Sequence, residues 1–425
     1  MAARGAHTRR LNALERAVVG GQERKPVDES VASQVFSSTW FLDDDDRTSA
    51  NEPATDSGVV SDVMGALADP KVKAAVQYQL NLQAREDDYA KRKAYLDKKI
   101  AEAKDEAERA HAERVAEIVG EIHERGYAIV QILEGERLER LRAGMEPIFE
   151  AMERLDEEAQ ARGQKNRGGL GASRISNSQN VFAKTDAADD VATDPLLIDV
   201  IKGVLGPGIW LSCAHAKNPL PGTTAQAIHR DDGTPGRFKF PGDDPHPHRP
   251  IVCNTLLALD PFTAESGGTI IAPGSHVWPS MKHKRPELDD LEYLEMPAGS
   301  IMIFDGQMYH AAGNNTSESS PRRTLCLNYT PDWLRPIDNH YLTVSRQRIL
   351  DMPKRLAGHL GYTQSISMLG GTESSQPREY LRVLMEEGEG AQPKLAPEEV
   401  ASFGFHKGPD GEWSADWYTG EADKE

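Results

Sequence analysis

Gln226-Ala227-Ile228-His229-Arg230-Asp231, followed by the Gly-, Pro- and Asp-rich stretch Asp232 to Pro250, decides how this chain is read. In an extended strand, residues two apart point to the same side. His229 and Asp231 can therefore hold one ion from a single strand end, while Arg230 turns to the opposite face. Adding a second imidazole, His310, gives a set of two histidines and one carboxylate. Such a set covers one face of an octahedral Fe(II) and leaves the other open for oxygen and an oxidisable co-substrate. Asp232 to Pro250 reads as a loop over that site and as a candidate lid.

His310 has a context of its own. Pro297-Ala298-Gly299-Ser300 reads as a turn, and Ile301-Met302-Ile303-Phe304 as a short buried strand ending at Asp305-Gly306. His310 is expected just beyond that strand end. After the polar stretch Gly313 to Ser320, Arg322 to Tyr329 alternates with period two. One face carries Arg322, Thr324, Cys326 and Asn328, which suits a polar cavity wall. The other carries Arg323, Leu325, Leu327 and Tyr329, which suits a packed layer. Arg322 is thus the guanidinium expected to pair bidentately with a dicarboxylate co-substrate. A register shift of one residue would hand that role to Arg323.

The order Gln-x-x-His-x-Asp, Gly267 to Thr269, Pro273 to His276, Pro297 to Ser300, His310 and Arg322 resembles the phytanoyl-CoA dioxygenase family. The likeness begins near Glu121 to Val130 and runs to Leu356–Pro377, where Leu360-Gly361-Tyr362 and Gly370-Gly371 are similar to the family's usual tail. It spans more than half of the chain. The resemblance implies an Fe(II)- and 2-oxoglutarate-dependent oxygenase on a double-stranded β-helix. It implies His229, Asp231 and His310 as iron ligands and Arg322 as partner of the distal 2-oxoglutarate carboxylate. Gln226 and Thr269 correspond to positions that help hold the co-substrate. Related halogenases have a small residue where this chain has Asp231, so the carboxylate implies hydroxylation or a related oxidation. The reaction so implied consumes O2 and 2-oxoglutarate, releases succinate and CO2, and oxidises a C–H bond of a small organic substrate.

Two other readings use the same residues. A zinc hydrolase could employ the three ligands with a bound water, and a jelly-roll binding module could carry them without catalysis. Other residues are read as structural. His246 and His248 fall in a proline-rich loop, His276 in a Pro-Gly-Ser-His turn, and His283 in a charged, solvated stretch. Tyr309, Trp278 and Trp333 suit the core better than a substrate wall.

Composition sets outer limits. The 425 residues are 38% hydrophobic, enough for a sizeable core with extra segments. No apolar run is long enough for a membrane span. A formal charge of -18 argues against general nucleic-acid binding. Cys213, Cys253 and Cys326 are far apart and lack zinc spacing, which suits a reducing cytoplasm. Arg230, Arg237, Lys239 and Arg249 frame the long loop and serve either capture of an acidic substrate or solubility.

Strand-like runs such as Ile251 to Leu259 and Gly268 to Ala272 alternate with Gly/Pro turns. They predict a mainly β fold, a cupin-like jelly-roll of two sheets. Helices are expected at Glu136 to Glu153, Pro195 to Val204 and around Leu342 to Leu360. The chain divides into an irregular or partly disordered segment 1–68, a long helix 69–120, the catalytic domain 121–385 and a tail 386–425. Arg4, Arg9, Arg10 and Arg16 faintly resemble a transit peptide, against which Glu15 and the scarcity of serine count. Asp69 caps the long helix, with Pro70 in its first turn. Asp87–Lys91, Asp88–Arg92 and Asp105–Arg109 are favourable i, i+4 pairs. Leu82, Tyr89, Leu96, Ala103 and Ala110 form a narrow apolar stripe. Gln79, Glu86 and Lys93 in the second set favour docking on the same chain or partial exposure over a coiled coil, and an oligomer through this helix stays open.

Overall fold

The computed structural model describes residue 25 and residues 70–162, 175–232, 249–279, 284–366, 369–372, 376–388, 406–407 and 413–414. The expectations for residues 1–68 other than Lys25, for Asp69, Arg237, Lys239, His246, His248 and His283, and for most of the lid and tail lie outside the described residues.

Helices and antiparallel strands are mixed, where the sequence reading expected mainly β. Helix α1 runs Pro70–Glu102, α2 Glu106–Arg125, α3 Gly135–Ala161 and α4 Pro195–Leu205. The strands are β1 (Tyr127–Gln131), β2 (Ile175–Gln179), β3 (Ile209–Pro219), β4 (Cys253–Ala258), β5 (Thr269–Ile271), β6 (Glu292–Leu294), β7 (Ser300–Asp305), β8 (His310–Ala312) and β9 (Thr324–Pro331). Six strands form one antiparallel sheet in the order β1-β7-β4-β9-β3-β2, and three form a second in the order β6-β5-β8. The segment before His229 continues the small sheet beside β8. His229 and His310 exchange backbone bonds of 3.0 and 2.9 Å, and Gln226 N donates to Ala312 O at 2.8 Å.

Strand alternation sorts the large sheet into two unlike faces. Ala128, Val130, Ile301, Ile303, Leu257, Leu325 and Leu327 point outward and join one core with Val119 and Ile122 of α2, Phe149 of α3 and Ile198 and Ile201 of α4. Each aliphatic side chain so buried contributes about 1.5–3 kcal/mol, and this layer fixes the sheet to its helices. Across the inner face, Tyr127, Met302 and Phe304 meet Ile271, Leu294 and Phe262 from the small-sheet side. Two glycines are obligatory at the joins. Gly126 ends α2 at φ 90, where a Cβ would meet His276 Nδ1 at 2.7 Å. Gly299 turns into β7 at φ 83, where a Cβ would overlap the Leu133 carbonyl.

Several sequence expectations are corrected locally. The long N-terminal helix breaks after Glu102, because Asp105 caps a new helix instead of pairing along the old one. It has extended backbone (φ -145, ψ 177) and accepts from Glu108 N at 2.8 Å. Asp88 and Arg92 do pair, at 3.0 Å. For Asp87 the partner is Gln83, whose Nε2 donates at 2.9 Å. The stripe docks on its own chain, with Arg85 and Leu96 buried and Tyr89 against the core. The helix expected around Leu342 to Leu360 is four short pieces, His340–Thr343, Arg346–Asp351, Lys354–Ala357 and Gly358–Tyr362, with Pro353 separating the second from the third. Arg322 and Arg323 precede β9 instead of lying in it. All three cysteines are free and buried. No described helix is long and apolar enough to cross a membrane.

Candidate active site

His229, Asp231 and His310 converge, each offering one ligand atom, with these atoms all within 4.8 Å of one another. His229 Nε2 lies 3.6 Å from Asp231 Oδ1, and His310 Nε2 lies 3.4 Å from Asp231 Oδ2. Atoms bound about 2 Å from a shared ion stand roughly 3 Å apart, so the spacing fits a small divalent cation. The ring orientations fit it too. Nδ1 of His229 faces Ala227 O at 2.8 Å and Nδ1 of His310 faces Met308 O at 3.0 Å. Each ring thereby keeps its proton on Nδ1 and turns the Nε2 lone pair toward Asp231. His310 opens its own strand, β8, where the sequence suggested a position past a strand end. The short strand exists because it pairs on both sides, with β5 and with the His229 segment.

Electrostatics prepare the same donors. Burial, reinforced by His310, lowers the His229 pKa to about 4, so its ring is neutral at neutral pH. Burial alone would raise Asp231, but His310, His229 and Lys217 hold it well below the usual carboxylate range. Neutral imidazoles and an ionised carboxylate are the forms a metal ion binds.

A hydrogen-bonded relay, invisible to the sequence reading, orients the carboxylate. Asn254 Nδ2 donates to Asp231 Oδ2 at 2.6 Å, Asn328 Nδ2 donates to Asn254 Oδ1, and Cys213 Sγ donates to Asn328 Oδ1 at 3.3 Å. These residues form one row across β4, β9 and β3. The advance signals were Asn328 on the polar face of the Arg322 to Tyr329 alternation and the polar Asn254 inside the run Cys253 to Ala258. Asp231 N also donates to Gly306 O at 2.8 Å, so the turn after β7 carries the ligand loop. That turn is anchored from α1. Arg85 Nη2 meets Asp305 Oδ2 at 2.5 Å with both side chains essentially out of water, and Asp305 Oδ1 accepts from Gln307 N at 2.9 Å. Arg230 faces away from the ligands, as strand alternation requires. It stacks on Tyr309 at 4.5 Å and donates to the carbonyls of Gln307, Ser275 and Trp278, which removes it from any role in acid capture.

The two neighbouring arginines differ completely. Arg323 grips Asp260 through Nε and Nη2, both at 2.9 Å, and reaches Glu146 at 2.5 Å. Arg322 is buried over the Phe262 ring, with Nη1 3.5 Å from Thr269 Oγ1 and Nε unsatisfied. It has no carboxylate partner among the described residues. Burial lowers its pKa only to about 10, so the charge persists. Such an uncompensated guanidinium fits the end of a dicarboxylate. Thr269 and Ile271 share a face of β5, and Ile271 pairs with His310, which puts the Arg322–Thr269 pair on the metal-ligand side. Gln226 is less directly engaged, its Oε1 accepting from Ala312 N at 3.3 Å.

Among the residues read as structural, His276 and Tyr309 are buried as expected, whereas Trp333, expected in the core, is exposed. His276 is buried with Nε2 2.9 Å from His123 O. Tyr309 is core, Trp278 packs against it, and Trp333 is exposed beneath Arg249.

Comparison with known proteins adds kinship. The sequence model of the phytanoyl-CoA dioxygenase family matches residues 122–324. The chain is 32% identical to the dioxygenase swnH1 of Metarhizium robertsii over 161 residues, 38% of this chain and 51% of that one. It is 34% identical to the dioxygenase trt7 of Aspergillus terreus over 133 residues, 31% of this chain and 44% of that one. The chain thus spans about half the length of these curated relatives. Among solved structures, the epimerase SnoN in complex with Fe3+, alpha ketoglutarate and nogalamycin RO aligns with 54% of this chain and 88% of its own, at 18% identity and a TM-score of 0.39.

Proposed function

We propose, from the match of residues 122–324 to the sequence model of the phytanoyl-CoA dioxygenase family, that the chain is an Fe(II)- and 2-oxoglutarate-dependent dioxygenase. It hydroxylates, or otherwise oxidises, an unactivated C–H bond of a small organic substrate. The two facing sheets are read as the halves of a double-stranded β-helix of jelly-roll type. His229, Asp231 and His310 are the metal ligands, Arg322 with Thr269 the seat of the distal carboxylate, and Gln226 a support beside them. The observation that carries the reading is the buried, carboxylate-free Arg322 on the same side as the three converging donors. A hydrolase has no need of it.

Bound Fe(II) with 2-oxoglutarate supplies the oxidising chemistry: one oxygen atom of O2 ends in succinate as CO2 leaves, and the other in the hydroxylated product. The chain's own residues do the rest. The Nδ1 bonds fix both imidazoles in the ligating tautomer, Asn254 aims the Asp231 carboxylate, and Arg322 orients the co-substrate by its far end. Phe304 stands edge-on to His310 at 4.9 Å and keeps water from that side.

Oxygen-dependent conversion of 2-oxoglutarate to succinate by the Fe(II)-loaded chain, lost in His229→Ala, tests the proposal. Turnover of esters or amides with zinc and no succinate would replace it by a hydrolase.

A further inference from the structure

The inner face of the large sheet changes character along its width. Over β1 and β7 it is apolar and covered by the small sheet. Over β3 and β2 the register puts His215 opposite Gln179 and Lys217 opposite Asn177, with Cys326 and Thr324 on the adjoining strand β9. These residues lie on the same face as Cys213 and Asn328, which back the Asp231 carboxylate. The polar half of the sheet thus adjoins the metal ligands.

Three of those polar groups are under-satisfied among the described residues. Lys217 is half-buried, and its ammonium has no hydrogen-bond or ion-pair partner there. Asn177 Oδ1 and His215 Nε2 are buried without a hydrogen-bond partner, His215 reaching only Asp338 Oδ2 at 3.9 Å. A half-buried cation beside unsatisfied amide and imidazole groups is costly unless a ligand completes it. Lys217 is the cross-strand partner of Thr324, whereas the Arg322 guanidinium turns to Phe262 and Thr269.

We propose that Lys217, with His215 and Asn177, forms the substrate subsite, and that the substrate carries a carboxylate held by the Lys217 ammonium while its oxidised carbon faces His229, Asp231 and His310. This rests on the dioxygenase reading above. Arg322 serves the co-substrate and Lys217 the substrate, so the two cations divide two acids between them.

The test uses the full chain with Fe(II) and 2-oxoglutarate, and a panel of matched pairs, each a carboxylic acid and its primary amide on one carbon skeleton. Succinate release is followed with and without each compound. Acids are expected to stimulate release and their amides not. Lys217→Met should cut that stimulation by about 10- to 100-fold, the worth of one charge-assisted bond, and Lys217→Arg should retain most of it. The 2-oxoglutarate half-saturation should move less than about twofold in both variants. Amides that stimulate as well as their acids, a panel in which no acid stimulates, or an unchanged acid preference in Lys217→Met would overturn the assignment. A Lys217→Met protein whose 2-oxoglutarate requirement rises about as far as that of Arg322→Ala would also overturn it, by assigning Lys217 to the co-substrate. Absence of succinate from the unaltered chain both without and with every compound would instead defeat the dioxygenase reading. In that event, thermal stabilisation of the Ni(II)-loaded chain by acids over amides, lost in Lys217→Met, still decides the role of Lys217.

Discussion

Replacing Arg322 by Ala removes the guanidinium that reaches Thr269 and has no described carboxylate partner, so the 2-oxoglutarate half-saturation should rise by about 10- to 100-fold. Arg323→Ala should leave that value unchanged and lower the melting temperature, because Asp260 loses its two-point partner. The reverse ranking would move the co-substrate to Arg323. Strand alternation in the sequence pointed to Arg322 but could not fix the register; the Asp260 and Glu146 contacts, from residues distant in the chain, separate the two. Asn254 was less legible still. Its value depends on a row of cross-strand neighbours, Asn328 and Cys213, that no local pattern reveals. Asn254→Ala should weaken metal binding by about 10- to 100-fold, the usual effect of losing a residue that orients a ligand. Metal titration checks this, and unchanged affinity would mean that Asp231 needs no such support.

Helix α1 lies outside the family-matched residues, yet it reaches the turn that carries the ligand loop. Arg85 supplies the buried partner of Asp305, and the adjacent Gly306 carbonyl holds Asp231 N. Breaking a buried pair strands a charge at a cost of about 3–5 kcal/mol. Arg85→Met should therefore lower the chain's stability by about that amount in denaturant unfolding and weaken metal binding with it, with Arg85→Lys partly restoring both. Full stability in Arg85→Met would reduce α1 to a surface appendage. The apolar stripe in the sequence revealed that this helix docks. The break at Asp105 was missed because an Asp four residues before an Arg reads equally well as a helical pair or as a cap, and only the extended backbone at Asp105 decides. Strand β8 was missed for a related reason. Three residues are too few for a periodic signal, and the strand is made by its neighbours β5 and the His229 segment.

Across the whole molecule, burial keeps several histidines neutral and so ties stability to pH. His215 and His229 are lowered from 6.5 to about 4, and His276 and His359 from 6.5 to about 3, burial being the first cause in each. The unfolded chain takes up protons near 6.5 that the folded chain refuses until pH 4 to 3. Stability is thus full above 6.5 and falls steadily as the pH drops through that window. The melting temperature should follow this course, and His359→Leu should flatten part of it; a melting temperature that is constant between pH 6.5 and 4 would contradict the burial of these rings. The two sheets, the His229–Asp231 pair, helices α3 and α4 and the polar face of β9 were legible in the sequence because periodicity and turn residues are local. How the helices pack on the sheet, and which strands extend the polar face, arise from long-range packing. The central claim is that one site joins the three donors to a dicarboxylate seat at Arg322. Anaerobic addition of 2-oxoglutarate to the Fe(II)-loaded chain tests it most directly. A weak visible charge-transfer band should appear, be absent in Asp231→Ala, and need far more 2-oxoglutarate in Arg322→Ala. No band in the unaltered chain, or an unchanged band in Asp231→Ala, would contradict it.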